Sequence, residues 1–387
     1  AVLVMGLFNS KMEDVEKPSE TANSATSTKV VSPQSLAKDG SDLHEAHQEP
    51  ELQEAQVCHE ELPKFGNARF GYCLDIGERV YMEDAVEVIS DLGDCMTSEY
   101  YAVYDGHGGD GAVNYVKSRL SSLVNSHLTS KKESEDASRN GGDIEEVFRL
   151  SFEALDAEYI NSVYGRERQQ NSSGDRPVMS RTTSVQNGEG LSPGCVACVA
   201  LVQGTTLHVA SIGDCRACLC TAHDDEPFKC DIITQEHQAS KEKNPDEHRR
   251  VIEEGATVSN DGYLNGKLAV SRAFGDWDWE SSQKCQGLIC RPDVAHREID
   301  TDTEFLLLAS DGIFEKMTPS DAVGTVRRQL RKPGPCDLSN AAEVLINLAK
   351  KMNATDNLSA VVVLFKAPKP QERLSPSNLF ARASSKN

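Results

Sequence analysis

The sequence is short of basic residues, has no long apolar run and spaces its cysteines irregularly, and each shortage excludes something. Forty Lys and Arg stand against 61 Asp and Glu, a formal net charge of -21. That balance removes the basic face which nucleic-acid binding, or adhesion to anionic lipid, requires. No apolar stretch approaches the roughly 20 residues of a membrane-spanning helix, so no segment is expected to cross a bilayer. No secretory leader is apparent either, and the twelve cysteines are expected as reduced thiols in a cytoplasmic or nuclear protein.

One cysteine pattern has a metal-like spacing. Cys195-x-x-Cys198 and Cys215-x-x-Cys218 are sixteen residues apart, as in a zinc ribbon. Both pairs sit in strand-like runs, however, and along a strand residues three apart point to opposite faces. Ordinary buried thiols are therefore expected there instead of zinc.

The remaining composition, 387 residues with 38% hydrophobic content, is enough for a large core. Residues 1–64 are rich in Ser, Thr, Glu, Gln and Pro without apolar periodicity and read as a disordered acidic arm. Residues 65–366 read as one folded domain with polar inserts near 129–142 and 165–190. The second insert is expected to be mobile, with Arg181 to Ser184 exposed; residues 367–387 read as a disordered tail, and the whole as a monomer. Within the arm, Met5-Gly6-Leu7-Phe8-Asn9-Ser10 fits an acylation pattern. If translation starts at Met5, Gly6 is N-myristoylated and a weak membrane fraction follows; a chance internal match is the other reading.

Inside the domain, apolar strand-like runs end on acidic residues. YYAVYDGHGG, Tyr100 to Gly109, runs from a strand into an Asp105-Gly106-His107 turn rich in glycine. Asp214 closes LHVASIGD, Asp311 closes EFLLLASD, and Asp356 precedes NLSAVVVLF. Glu83 and Asp84 follow Arg79 by four and five residues and lead into the strand-like VEVI. Helical periodicity covers residues 110–128 and 144–159. A short helix over 246–254 stops at Gly255, another opens at Thr318-Pro319, and a last one spans 338–352.

Glu83, Asp84, Asp105, Asp214, Asp311 and Asp356 are hard oxygen donors without a companion set of His or Cys, which selects Mg2+ or Mn2+ over Zn2+. Gly106 can add its backbone carbonyl. Two such ions about 3.5–4 Å apart share a bridging carboxylate, activate a bridging water and clamp a phosphoryl group. Asp105 is the natural bridge, His107 is placed to protonate a leaving oxygen, and Arg79 can hold phosphate oxygens.

The motifs GERVYMEDA, YAVYDGHGG, IGDCRACL, LAVSRAFGD, LASDGIF and TDNLSAVVV, in this order, resemble the metal-dependent protein phosphatase 2C family. The likeness runs from about Phe65 to Lys366. It implies an α/β (α+β) fold, a four-layer sandwich of two antiparallel β-sheets flanked by pairs of α-helices. It also implies hydrolysis of phosphoserine and phosphothreonine in phosphoprotein substrates by a metal-bridged water. Asp105 then bridges two Mn2+ or Mg2+ ions and Gly106 gives its carbonyl. Asp311 and Asp356 complete one ion, Glu83 and Asp84 serve the other directly or through water, Arg79 binds phosphate and His107 is the general acid.

Two positions depart from the family pattern. Gly194-Cys195-Val196-Ala197 lacks the usual hydroxyl, and Glu315 replaces an Asp. Asp214 and Glu315 match positions of a third, weaker ion, and Glu315 carries its charge one methylene further out. The alternative to an active enzyme is a catalytically weak, phosphatase-like module that binds phosphoproteins.

Overall fold

A computed structural model describes residues 56–61, 69–93, 98–132, 142–173, 190–223 and 227–369. The chain divides into two units, Ala1–His47 and Gln48–Asn387, and every described residue lies in the second. Gly6, Arg181 to Ser184 and the tail from residue 370 lie outside the described residues.

In chain order the strands and helices are β1 (Gln56–Glu61), β2 (Arg69–Asp75), β3 (Asp84–Ile89), β4 (Ser98–His107), α1 (Gly111–Lys132), α2 (Gly142–Ser173), β5 (Gly194–Gln203), β6 (Thr206–Ile212), β7 (Arg216–Thr221) and β8 (Lys229–Ile232). There follow α3 (Pro245–Glu253), β9 (Phe274–Gly275), β10 (Trp277–Asp278), β11 (Gln283–Lys284), β12 (Asp293–Glu298), β13 (Thr303–Ala309), α4 (Asp311–Phe314), α5 (Pro319–Leu330), α6 (Leu338–Lys351) and β14 (Leu358–Leu364). One sheet has the order β1-β2-β14-β13-β7-β8 and the other β12-β6-β5-β4-β3, with every neighbouring pair antiparallel.

Strand alternation distributes side chains among three cores. On β4, Tyr101 and Val103 enter the core between the sheets, while Tyr100, Ala102 and Tyr104 face α1 and α2. On β14, Val361 and Val363 enter the inter-sheet core, while Ala360, Val362 and Leu364 face α5 and α6. The central strands are covered on both faces, which is why they read as continuous apolar runs rather than as alternation. The expected four-layer sandwich, helices on sheet on sheet on helices, is the architecture found.

The same alternation separates the cysteines. Cys195 faces the α1–α2 core, Cys198 and Cys215 the inter-sheet core, and Cys218 the α5–α6 core, so the four cannot converge on one ion. Not every thiol is reduced as expected: Cys73 is in a disulfide. The β1–β2 register sets Cys58 opposite it.

Other local differences have physical causes. Strand β1 lies inside the stretch expected to be a disordered arm. It is a short sheet edge, whose polar residues hide the alternation that marks a buried strand. Helix α2 runs to Ser173, into the insert expected from 165, because Arg-Glu-Arg-Gln-Gln sustains helix well. Asp105, Gly106 and His107 remain in β4, and the turn is made by Gly108 and Gly109 at φ 72° and 120°. Thr318 caps α5 as expected, its hydroxyl accepting from the Asp321 N–H, with Pro319 in the first turn.

Candidate metal centre

Both sheets deliver acidic residues to one end of the sandwich. From the second sheet, Asp84 on β3 stands directly opposite Asp105 on β4, a like-charge pairing that a sheet ordinarily avoids. Asp214 follows β6 after Gly213, whose backbone is left-handed at φ 85°. From the first sheet, Asp311 begins α4 just beyond β13, and Asp356 stands two residues before β14. Asp105, Asp214 and Asp311 each offer an oxygen within 4.8 Å of the others. The carboxyl of Asp105 also meets those of Asp84 and Asp311.

This crowding shows in the protonation of the group. Burial pushes Asp105 well above the carboxylate range, and the charges of Asp84, Asp311, Asp214 and Asp356 push it further. Burial, with Asp214, Asp356 and Asp84, takes Asp311 up to about 8. Asp84 rises to about 6, mainly through burial, with hydrogen bonds from Ser359 and Ser310 restraining the shift. Burial and Glu236 raise Asp214, against the opposing pull of its own backbone N–H, His107 and Arg216. A buried to half-buried group of carboxylates so short of positive charge suits hard divalent cations. Gly106 adds to the fit. A Cβ there would lie 2.6 Å from the Glu83 carbonyl and 3.1 Å from the Val113 side chain, so only bare backbone can lie beside the cluster.

The remaining candidates surround this group in different ways. Glu83 holds the glycine turn, its Oε1 accepting from Gly109 N–H at 2.5 Å and its carbonyl from Gly106 N–H at 2.9 Å. Arg79, about half exposed, donates through Nη2 to Asp356 Oδ2 at 2.7 Å. Glu315 does not join Asp214. Its Oε2 accepts from Thr355 N–H at 2.9 Å and its Oε1 pairs with Lys316 Nζ at 2.6 Å; the Lys316 contact holds its pKa below the ordinary value. Lys316 and Thr355 thus engage the longer Glu315 carboxylate, while Asp214 groups with Asp105 and Asp311. Cys195 is fully buried, its thiol pushed up by burial and then by Asp105, and its Sγ donates to the Val196 carbonyl at 3.1 Å.

His107 has a partner that sequence reasoning gave no role. Its Nε2 meets both oxygens of Asp276 at 2.9 and 3.0 Å, and Asp276 is fully buried with left-handed backbone at φ 54°. Burial alone would lower the imidazole pKa. The charge and hydrogen bond of Asp276, with Asp214 and Glu83, turn the net shift upward. The available signal was the last residue of LAVSRAFGD. Asn357 was missed as well: its Oδ1 accepts from Glu83 N–H at 2.7 Å, and its Nδ2 donates to the carbonyls of Ile76 at 2.8 Å and Tyr81 at 3.1 Å. It therefore fixes the loop that carries Arg79 and Glu83.

Residues 76–358 match the model of the family described as protein phosphatase 2C. Among curated relatives, Probable protein phosphatase 2C 47 of Oryza sativa subsp. japonica is 33% identical over 308 residues, which is 77% of this chain and 70% of the relative. Probable protein phosphatase 2C 43 of Arabidopsis thaliana is 31% identical over 353 residues, 86% of this chain and 76% of the relative. A solved serine-threonine phosphatase 2C from Toxoplasma gondii superposes with a TM-score of 0.60 at 19% identity, covering 80% of this chain and 99% of that one. A C. elegans sex determining protein gives 0.57 at 20% identity, covering 77% and 65%. These two structural likenesses speak to the fold.

Proposed function

The chain belongs to the protein phosphatase 2C family of metal-dependent serine/threonine phosphatases, and from that membership we propose that it hydrolyses phosphoserine and phosphothreonine esters in proteins with two Mn2+ or Mg2+ ions. The observation that carries the reading is the convergence of Asp105, Asp214 and Asp311 within 4.8 Å, with Asp84 and Asp356 beside them. Asp105 would serve both ions and Gly106 would add its carbonyl, Asp311 and Asp356 would complete one ion, and Glu83 and Asp84 would serve the other directly or through water. When bound, the ions neutralise the carboxylates, activate water as the nucleophile and polarise the phosphoryl group.

The chain's own side chains do the rest. Arg79 binds phosphate oxygens with the guanidinium donors that Asp356 leaves free. His107 protonates the leaving serine or threonine oxygen; Asp276 orients the ring and favours its charged form. With Glu315 engaged elsewhere, a third, weaker ion would rest on Asp214 beside Asp105 and Asp311.

The altered accessory site favours a second reading, a module that binds phosphoproteins without cleaving them. Phosphate release from a phosphothreonine peptide, with Mn2+ and with EDTA, separates the two. Metal-dependent release supports the enzyme, whereas a peptide that is retained intact supports the binder.

A further inference from the structure

Two buried serines on the first sheet reach across the sandwich to one oxygen of an acidic residue on the second. Ser310 ends the β13 run and Ser359 lies within β14; both are fully buried among leucine, valine and alanine. A hydroxyl in such a place must find a partner. Ser310 Oγ donates to Asp84 Oδ2 at 2.8 Å and Ser359 Oγ donates to the same oxygen at 2.7 Å. The serines also hold each other. Ser310 N–H donates to the Ser359 carbonyl at 3.1 Å, and Ser359 N–H donates to Ser310 Oγ at 3.1 Å. Because Ser310 Oγ already accepts from that N–H, its own proton is free to point at Asp84.

We infer that Ser310 and Ser359 are positioning residues of the metal centre, a hydroxyl pair that fixes the Asp84 carboxylate between the two sheets. Asp84 belongs to the sheet that carries Asp105 and follows Glu83, whereas Ser310 adjoins Asp311 and Ser359 lies three residues after Asp356, so the pair ties the two halves of the acidic set together. Both donors fall on Oδ2, which leaves the lone pairs of Oδ1 uncommitted by hydroxyl bonds. A carboxylate so oriented meets a cation without first losing rotational freedom, as in metal sites whose ligands are held by outer hydrogen bonds. The inference rests on the two-ion reading above.

The test compares Ser359→Thr with Ser359→Val, which differ by the hydroxyl and share the same added bulk, so packing cancels. Mn2+ binding is measured by titration calorimetry on wild-type protein, both variants and Ser310→Ala, with thermal unfolding in EDTA to establish that each folds. The expected result is near wild-type affinity for Ser359→Thr and a loss of roughly 10- to 100-fold for Ser359→Val and Ser310→Ala. With p-nitrophenyl phosphate, the Mn2+ concentration for half-activation should rise by a similar factor, while the rate at saturating Mn2+ changes less. Equal Mn2+ affinity in Ser359→Thr and Ser359→Val would overturn the inference. Wild-type protein that takes up no Mn2+ would overturn the two-ion reading itself.

Discussion

Two clusters of buried charge in this molecule are built on opposite rules. At the strand ends, Asp84, Asp105, Asp214 and Asp311 crowd together beside Asp356 with few cations, and burial and the neighbouring acidic charges drive the pKa values of those four up. Around α3, Glu247 is buried and fully answered. Its oxygens accept from Arg272 Nη2 at 2.6 Å, Arg250 Nη2 at 2.8 Å and Ser271 Oγ at 2.6 Å. Burial alone would raise its pKa, yet these bonds hold it down to about 2. Asp293 extends the network to Arg272 at 2.7 Å and to His237 at 3.1 Å. Paired buried charge is what a fold uses to fix a loop; buried charge left in deficit marks a place kept for ions.

Removing one acid from the deficit cluster should cost activity and spare the fold. Asp105→Asn is expected to lower Mn2+-dependent turnover by more than roughly 100-fold, while the metal-free protein unfolds at the same or a higher temperature because repulsion is relieved. Turnover near wild type in purified Asp105→Asn would remove the distinction between the clusters. His107→Ala tests the charge pair that bridges cleft and core. Losses of about 100-fold or more are expected on an alkyl phosphoester, with a smaller loss on p-nitrophenyl phosphate, whose leaving group needs little protonation. Equal losses on both substrates would make His107 structural.

The paired cluster should respond the other way. Glu247→Ala leaves the half-buried Arg250 and Arg272 with only Glu254 and Asp293 as carboxylate partners, and a cost of about 1.5–3 kcal/mol in stability is expected. Mn2+ affinity of the protein that remains folded should not change. Urea denaturation and a Mn2+ titration check this together, and an unaltered denaturation midpoint would show that the network contributes little.

What the sequence reveals of the centre follows from chain distance. Asp105, Gly106 and His107 are adjacent, and Asp311 and Asp356 each adjoin an apolar strand, so short motifs announce them. The groups that orient them are not announced. Asp276 is 169 residues from His107, and Ser310 and Ser359 are 226 and 275 residues from Asp84. Nothing in a local pattern marks a serine as a donor across two sheets. The sandwich was legible where strands are buried on both faces, as in β4, β13 and β14, and illegible at β1, where an edge strand carries polar residues. Glu315 was visible as a substitution, but not its capture by Lys316 and Thr355, which depends on how α4 meets the segment before β14.

The gentlest probe of the contrast is pH, because the two clusters must move in opposite directions. In the metal-free protein, Asp84 at about 6 and Asp311 at about 8 lie above the ordinary 3.8 of an unfolded Asp. Below pH 3.8 both states are protonated and these groups cost nothing. As pH rises through the folded values, the native state must ionise carboxyls that the unfolded chain ionises more easily, so stability declines between about pH 4 and 8. Glu247, held at about 2 against an ordinary 4.5, contributes stability that is complete above pH 4.5 and is lost as pH falls towards 2. Calorimetry in EDTA should therefore show an unfolding temperature that falls from pH 5 to pH 8. Saturating Mn2+ should abolish that fall, since bound cations stabilise the ionised acids. In Glu247→Gln the decline above pH 5 should persist while the acid-side loss shrinks. A metal-free protein whose unfolding temperature is flat from pH 5 to 8 would mean that the acids at the strand ends are not in deficit.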